Sequence, residues 1–193
     1  MLLLFRLSLL SAALATVWTS PVLIDYKSLS FGISCRNRVI NYIYTEYSNH
    51  FKDRRYEIRC GSPNVTMECE NSGYVNVMGQ PINFLCSKDK GMTDIGSHHD
   101  NYYEDRRFKF GCCGIIGKKL SNCYWTDEVN TLGGPMTLQV PDGQVIQGAH
   151  SYRDDFFMDR IWRFRLCLLE DDSFRINSKN KNKKTSLKVN KCT

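Results

Sequence analysis

Short stretches of alternating apolar and polar residues recur along the chain, and no long stretch with helical periodicity and caps interrupts them. Val39-Ile40-Asn41-Tyr42-Ile43-Tyr44-Thr45 is rich in β-branched and aromatic residues, as a strand should be. After a polar turn at residues 46–52, Tyr56, Ile58 and Cys60 share one face of a second strand, and Arg55, Glu57 and Arg59 share the other. Residues 61–78 read as a loop that holds Cys69, followed by short strand candidates at 74–78 and 82–86. A second hairpin opens near Cys86 through the poorer strand 91–95, crosses a polar connection at His98, His99 and Asp100, and returns with Phe108, Phe110 and Cys112 on one face. A Gly-rich basic connector at 114–119, the segment Cys123-Tyr124-Trp125-Thr126 and a break at Gly133-Gly134-Pro135 follow. The third hairpin opens at Val145 after the Asp142-Gly143 turn and returns with Trp162, Phe164 and Leu166.

The three returning strands share a grammar. Asp53-Arg54-Arg55-Tyr56-Glu57-Ile58-Arg59-Cys60, Asp105-Arg106-Arg107-Phe108-Lys109-Phe110-Gly111-Cys112-Cys113 and Asp159-Arg160-Ile161-Trp162-Arg163-Phe164-Arg165-Leu166-Cys167 each place an aromatic residue after Asp-Arg and a cysteine at the end. The Asp-to-Asp steps of 52 and 54 residues mark stacked or pseudo-symmetric units. The pattern predicts an all-β domain of three hairpins related by a pseudo-threefold, as in a β-prism or trefoil-like barrel. Strand alternation places Arg54, Arg106 and Arg160 on the face of Tyr56, Phe108 and Trp162, and the aspartates on the opposite face. Each arginine could stack on its own aromatic or pair with a carboxylate of a neighbouring strand. Two readings stay open: residues that lock one hairpin to the next, or three similar surfaces that bind a repeating ligand such as a glycan.

Composition places this domain outside the cell. Residues 1–20 read as a secretory signal peptide, with an apolar run from Leu2 to Val17 and a small-residue site at Ala13-Leu14-Ala15; the run is short for a membrane span. Nine cysteines in an exported chain predict a disulfide framework, and the odd number leaves one thiol free, capped or engaged between molecules. Asn64-Val65-Thr66 is the one N-glycosylation sequon. The formal charge of +6 belongs to the end of the chain: Lys179, Lys181, Lys183, Lys184, Lys188 and Lys191 lie beyond Asp172, the last carboxylate side chain. The expected organisation is a signal peptide at 1–20, a three-repeat domain at 21–176 and a disordered basic tail at 177–193. That tail could condense on a sulfated glycosaminoglycan or serve only as a solvated end. Export argues against nucleic acid as a partner.

No catalytic constellation is present in the sequence. His50, His98, His99 and His150 do not occupy equivalent repeat positions, and no phosphate loop, G-x-S-x-G elbow or H-E-x-x-H occurs. Neither an enzyme, a metal nor a cofactor is expected.

Asp-Arg-x-aromatic-x-aromatic ending in cysteine, three times in a secreted Cys-rich chain, resembles the dermatopontin family over residues 35–174. The cysteine placement is the most specific part: one cysteine in the first repeat, a Cys-Cys pair in the second, and one a step later in the third. The family motif is usually Asp-Arg-Gln/Glu-Trp; here Trp162 keeps the tryptophan, Tyr56 and Phe108 replace it, and Arg55, Arg107 and Ile161 stand at the Gln/Glu position. The chain is thus similar to a divergent member. The resemblance implies pairing of Cys35 with Cys60, Cys86 with Cys112, Cys69 with Cys113, and Cys123 with Cys167, among on the order of a hundred connectivities that spacing alone allows. A further family bridge is absent near Leu120 and Ser173, and Cys192 is left over, available for a covalent dimer. It also implies a non-enzymatic matrix and cell-adhesion protein that bridges matrix proteins and proteoglycans and takes part in collagen fibril organisation. A haemagglutinin or aggregation factor of innate defence and a shell-matrix protein are the alternatives.

Overall fold

The computed structural model describes residues 22–26 and 29–172. The expected export segment at 1–20, Ser173, the six lysines of the expected basic tail, and Cys192 lie outside the described residues. Twelve strands and no helix make up the described part. They are β1 (Val22–Ile24), β2 (Ser30–Ser34), β3 (Val39–Ser48), β4 (Asp53–Gly61), β5 (Val65–Tyr74) and β6 (Ile82–Leu85), then β7 (Lys90–Asp100), β8 (Asp105–Ile115), β9 (Lys118–Trp125), β10 (Met136–Gln139), β11 (Gln144–Asp154) and β12 (Asp159–Asp171).

The strands form three antiparallel four-stranded sheets, ordered β1-β4-β3-β10, β2-β7-β8-β5 and β6-β11-β12-β9. A long hairpin lies at the centre of each: β3/β4, β7/β8 and β11/β12. Its flanking strands come from elsewhere in the chain. The strand before each hairpin pairs with the opening strand of the next, so β2 joins β7, β6 joins β11 and β10 joins β3. The strand after a hairpin pairs with the returning strand of the next, so β5 joins β8 and β9 joins β12. β1 takes the corresponding place beside β4 and closes the cycle. Each sheet is therefore completed by a neighbouring unit, and none buries its inner face alone.

Local chemistry repeats with the same period. Register shifts fall at Asn41, Thr93 and Gln147, and the bulged carbonyls accept N–H bonds from Val140 (3.0 Å), Cys35 (2.9 Å) and Cys86 (2.8 Å), each on a segment from another unit. Lys52, Glu104 and Met158, the last residues of the three hairpin loops, all adopt positive φ of 46–56°. The left-handed turn at that point swings the chain back into the returning strand. As a result both Asp and Arg at its start are buried, and the strict alternation that would put the aspartates on the opposite face does not hold there.

Four disulfides reinforce the exchange: Cys35–Cys60, Cys86–Cys112, Cys69–Cys113 and Cys123–Cys167. The last two tie β5 to β8 and β9 to β12, each across 44 residues. In the third unit the place of the Cys35–Cys60 and Cys86–Cys112 pairs is taken by Val140 and Leu166, both buried.

Several stretches fold differently from the sequence reading. Residues 65–74 of the expected loop form β5, whereas 75–78 are not a strand. Most of the 114–119 connector is strand, with the turn reduced to Ile116 and Gly117, whose φ is +67°. β1, β2 and β10 were not marked by the pattern. They are short and lie at sheet edges, where one neighbour strand supplies only part of the burial that makes alternation visible.

Candidate functional site

Repetition of the Asp-Arg motif brings its charged groups to one place on the pseudo-threefold axis. Arg54 donates through Nε and Nη2 to both oxygens of Asp159 (2.7 Å each). Arg160 does the same to Asp105 (2.8 and 2.7 Å), and Arg106 to Asp53 (2.7 and 2.8 Å). Each hairpin thus gives its arginine to one neighbour and its aspartate to the other, and the three bidentate pairs form a closed ring. All six side chains are at most 6% exposed. Backbone groups add to the shell: Gly79 N–H donates to Asp105, Gly133 N–H donates to Asp159, and Arg54 and Arg160 donate to the carbonyls of Gly134 and Gln80.

Directly inward, Tyr56, Phe108 and Trp162 meet edge to face, with Phe108 centred 6.3 Å from Tyr56 and 5.0 Å from Trp162. Burial pushes the Tyr56 phenol up from its ordinary pKa. Burial would by itself lower the Arg106 guanidinium, but its hydrogen bonds to Asp53 and the field of Tyr56 and Asp105 outweigh it, so its pKa rises. Arg106 lies over Tyr56 of the preceding unit (5.7 Å), not over its own Phe108. The axial space between the pairs is about 20 Å³, room for a water and not for a sugar or peptide. Charge and aromatic groups of the motif are consequently directed at neighbouring hairpins.

Above the ring stand the three hairpin loops, and each carries an aromatic pair: His50-Phe51, Tyr102-Tyr103 and Phe156-Phe157. Tyr102 is 87% and Phe156 86% exposed. The loops are braced against each other, since Tyr47 O–H donates to the carbonyl of Phe157 (2.5 Å) and Arg153 donates to that of Tyr103 (2.9 Å). Tyr47, His99 and Arg153 are equivalent in the repeat, and His99 is buried. This aromatic crown does not emerge from the sequence pattern, in which the first two hairpin connections read as polar and the third is unmarked. The signal was the recurrence of two rings immediately before each left-handed residue.

The outer faces of the sheets do not repeat. Tyr44 pairs with Glu57 and Thr137 in the first; His150 pairs with Arg163 and Asn83 in the third. In the second the same register holds Gly96 with Lys109 and Gly32, and Gly111 opposite Asp94. Lys109 lies over Gly96 and Asp94 over Gly111, Gly32 has open space above it, and together they border an open trough of about 610 Å³ that Asn71 also lines.

The remaining candidates are dispersed. His50 packs on Phe51, His98 bonds Ser30 (2.9 Å) and His150 bonds Asn83 (2.7 Å), all far apart in register. Among the described residues no three His, Cys, Asp or Glu side chains are placed to hold a metal ion. Asn64 is exposed beside β5.

The family model for dermatopontin matches residues 26–171. Dermatopontin of Biomphalaria glabrata is 42% identical over 138 residues, which is 71% of this chain and 93% of the relative. Millepora cytotoxin-1 of Millepora dichotoma is 31% identical over 122 residues, 63% of this chain and 54% of the relative. The hemagglutinin/amebocyte aggregation factor of Limulus polyphemus is 32% identical over 97 residues, 50% of this chain and 55% of the relative. The aligned regions thus span only about half of the last two proteins. No solved structure matches the chain.

Proposed function

We propose that this chain, which belongs to the dermatopontin family, is a secreted, non-enzymatic protein of the extracellular matrix that binds matrix proteins and glycosaminoglycans and promotes cell adhesion. The observation that carries this reading is the match to dermatopontin over 93% of that relative's length. The fold supports it: four disulfides and a closed ring of ion pairs suit a rigid module that works outside the cell by presenting surfaces. The lysines at 179–191 supply the polyanion-binding segment, and glycosylation at Asn64 and a covalent link through Cys192 belong to the same reading.

A second reading, a carbohydrate-binding aggregation factor, is favoured by the trough on the second sheet and by the name of the Limulus relative. One experiment separates the two. The full chain is run on heparin in rising salt and on a glycan array, beside a chain cut after Asn177 and the Gly32→Tyr variant. Gly32 has open space where a Cβ would stand, so tyrosine there fills the trough without a backbone clash. Heparin retention lost on cutting supports the matrix reading; saturable binding of a neutral sugar, lost in Gly32→Tyr, supports the second. Retention on neither surface contradicts both.

A further inference from the structure

We propose that the aromatic crown is the docking surface for the lysine-rich segment 179–191 of a second copy of this chain, so that molecules associate head to tail. The crown has the features of a contact surface. Phe51, Tyr102, Tyr103, Phe156 and Phe157 are all exposed, and they are gathered on three adjacent loops instead of scattered singly.

These rings are also held in place. Asp100 accepts the backbone N–H groups of Tyr102 and Tyr103 (2.8 and 3.3 Å), and Asp154 accepts those of Phe156 and Phe157 (2.9 Å each). Tyr102 meets Tyr103 edge to face at 5.0 Å, and Phe156 meets Phe157 likewise at 5.3 Å. Such preorganisation lowers the ordering cost of binding.

The chemistry of the surface selects a cation. Ring faces carry negative potential, and Asp100, Asp154 and Asp155 stand among them, with Arg153 paired to Asp155. A polyanion or an anionic lipid surface would meet these carboxylates unfavourably. Residues 173–193 offer the complement, six lysines and no carboxylate side chain. Cation–π contact with carboxylates close by is the recognition that a lysine head group fits best.

Chain length favours a second copy over the chain's own tail. Strand β12 starts at the crown and runs 13 residues away from it, to a point where Asp172 N–H bonds Gly117 at the opposite end. At about 3.3 Å per residue the strand carries the chain roughly 40 Å from the rings. Lys179 lies seven residues beyond Asp172, a reach of at most about 25 Å, so a chain's own tail brings only its last lysines back. A tail leaving one molecule at the end opposite its crown is instead well placed for the crown of the next. That contact is heterologous, and repeated it gives open chains, not a closed dimer.

The test uses the full-length chain carrying Cys192→Ser, which removes the thiol as a cross-link. Sedimentation velocity over a concentration series at low salt should show species that grow with concentration. They should disperse at about 1 M salt, where charge is screened within a few ångströms. Tyr102→Ser with Phe156→Ser, both at solvent-exposed positions, should move the transition about tenfold higher in concentration, and so should Lys→Gln at 179, 181, 183 and 184. A synthetic peptide of residues 177–191 in excess should disperse the assembly. A chain that stays monomeric throughout overturns the proposal, as does an assembly indifferent to either set of substitutions. Phosphatidylcholine vesicles serve as the competing occupant: if the crown substitutions abolish vesicle flotation and leave self-association unchanged, the surface belongs to a lipid and the proposal fails.

Discussion

The axial ring and the outer faces of the three sheets are built on the same threefold repeat, yet only the ring keeps its residues from unit to unit. At the ring each arginine must find the aspartate of one neighbour while its own aspartate receives the arginine of the other. A change in one unit therefore leaves a buried charge in the next. On the outer faces Tyr44, Gly96 and His150 hold equivalent positions with no such obligation, and they differ in size, charge and hydrogen bonding. The lesson is that repetition here marks what closes the fold, and departures from repetition mark where ligand contacts can diversify.

The largest effect that would sharpen this contrast comes from breaking the ring on one side. Arg54→Met, Arg106→Met or Arg160→Met leaves a buried carboxylate without its main partner and should each cost about 3–5 kcal/mol in urea unfolding. On the outer face, Arg59→Ala removes a partly exposed pair with Glu57 and should change unfolding by no more than about 1 kcal/mol. Similar losses at both places would dissolve the distinction.

A smaller effect follows from completing the symmetry. Val140 and Leu166 occupy the third-unit positions of Cys35–Cys60 and Cys86–Cys112 and are separated in sequence by the same 26 residues as the latter pair. Val140→Cys with Leu166→Cys should form a fifth disulfide and add about 2 kcal/mol or more, read from the difference between oxidised and reduced unfolding. Failure to oxidise would show that the third unit departs from the other two in backbone spacing as well as in side chains.

The smallest concerns a clamp that differs between units. Glu70 accepts hydrogen bonds from the Ser87 hydroxyl (2.6 Å) and backbone (2.8 Å) and from Lys90 (2.9 Å). These bonds, the Ser87 hydroxyl foremost, hold its carboxyl down at about 2, against 4.5 for an unperturbed glutamate. At the equivalent place in the third unit Tyr124 bonds Gln144 without any charge. Because the folded-state value is depressed, the stabilisation from Glu70 is fully present above pH 4.5 and is lost as pH falls through about 2. Glu70→Gln should remove this contribution, so its deficit in thermal stability against the parent is largest above pH 4.5 and closes as pH falls through about 2; the deficit is small throughout, since the group lies near the surface.

Much of this architecture is legible in the amino-acid sequence alone. The 52- and 54-residue steps and the Tyr56, Phe108 and Trp162 faces gave three hairpins in an all-β domain, because long central strands buried on one side display period-two alternation strongly. The exchange of flanking strands was not legible. β2 and β10 are five and four residues long, and their partners lie 64 positions away at Gly32–Gly96 and 93 at Thr137–Tyr44, a distance that no local pattern encodes. The ring was half legible: the repeated Asp-Arg allowed pairing with a neighbouring strand or stacking on the arginine's own aromatic, and which aspartate each arginine takes depends on the order in which the sheets close. The crown went unread because its aromatic pairs sit in loops, where periodicity carries no information.

The central claim is that the repeated Asp-Arg motif is a structural ring and not a ligand site. A double-mutant cycle on Arg54→Met and Asp159→Leu, followed by urea unfolding and by heparin and glycan-array binding of the folded variants, tests it most directly. The account predicts that each single change costs about 3–5 kcal/mol, that the double variant recovers a large part of that loss, and that ligand binding by the folded protein is unchanged. Single variants as stable as the parent that lose ligand binding would contradict it.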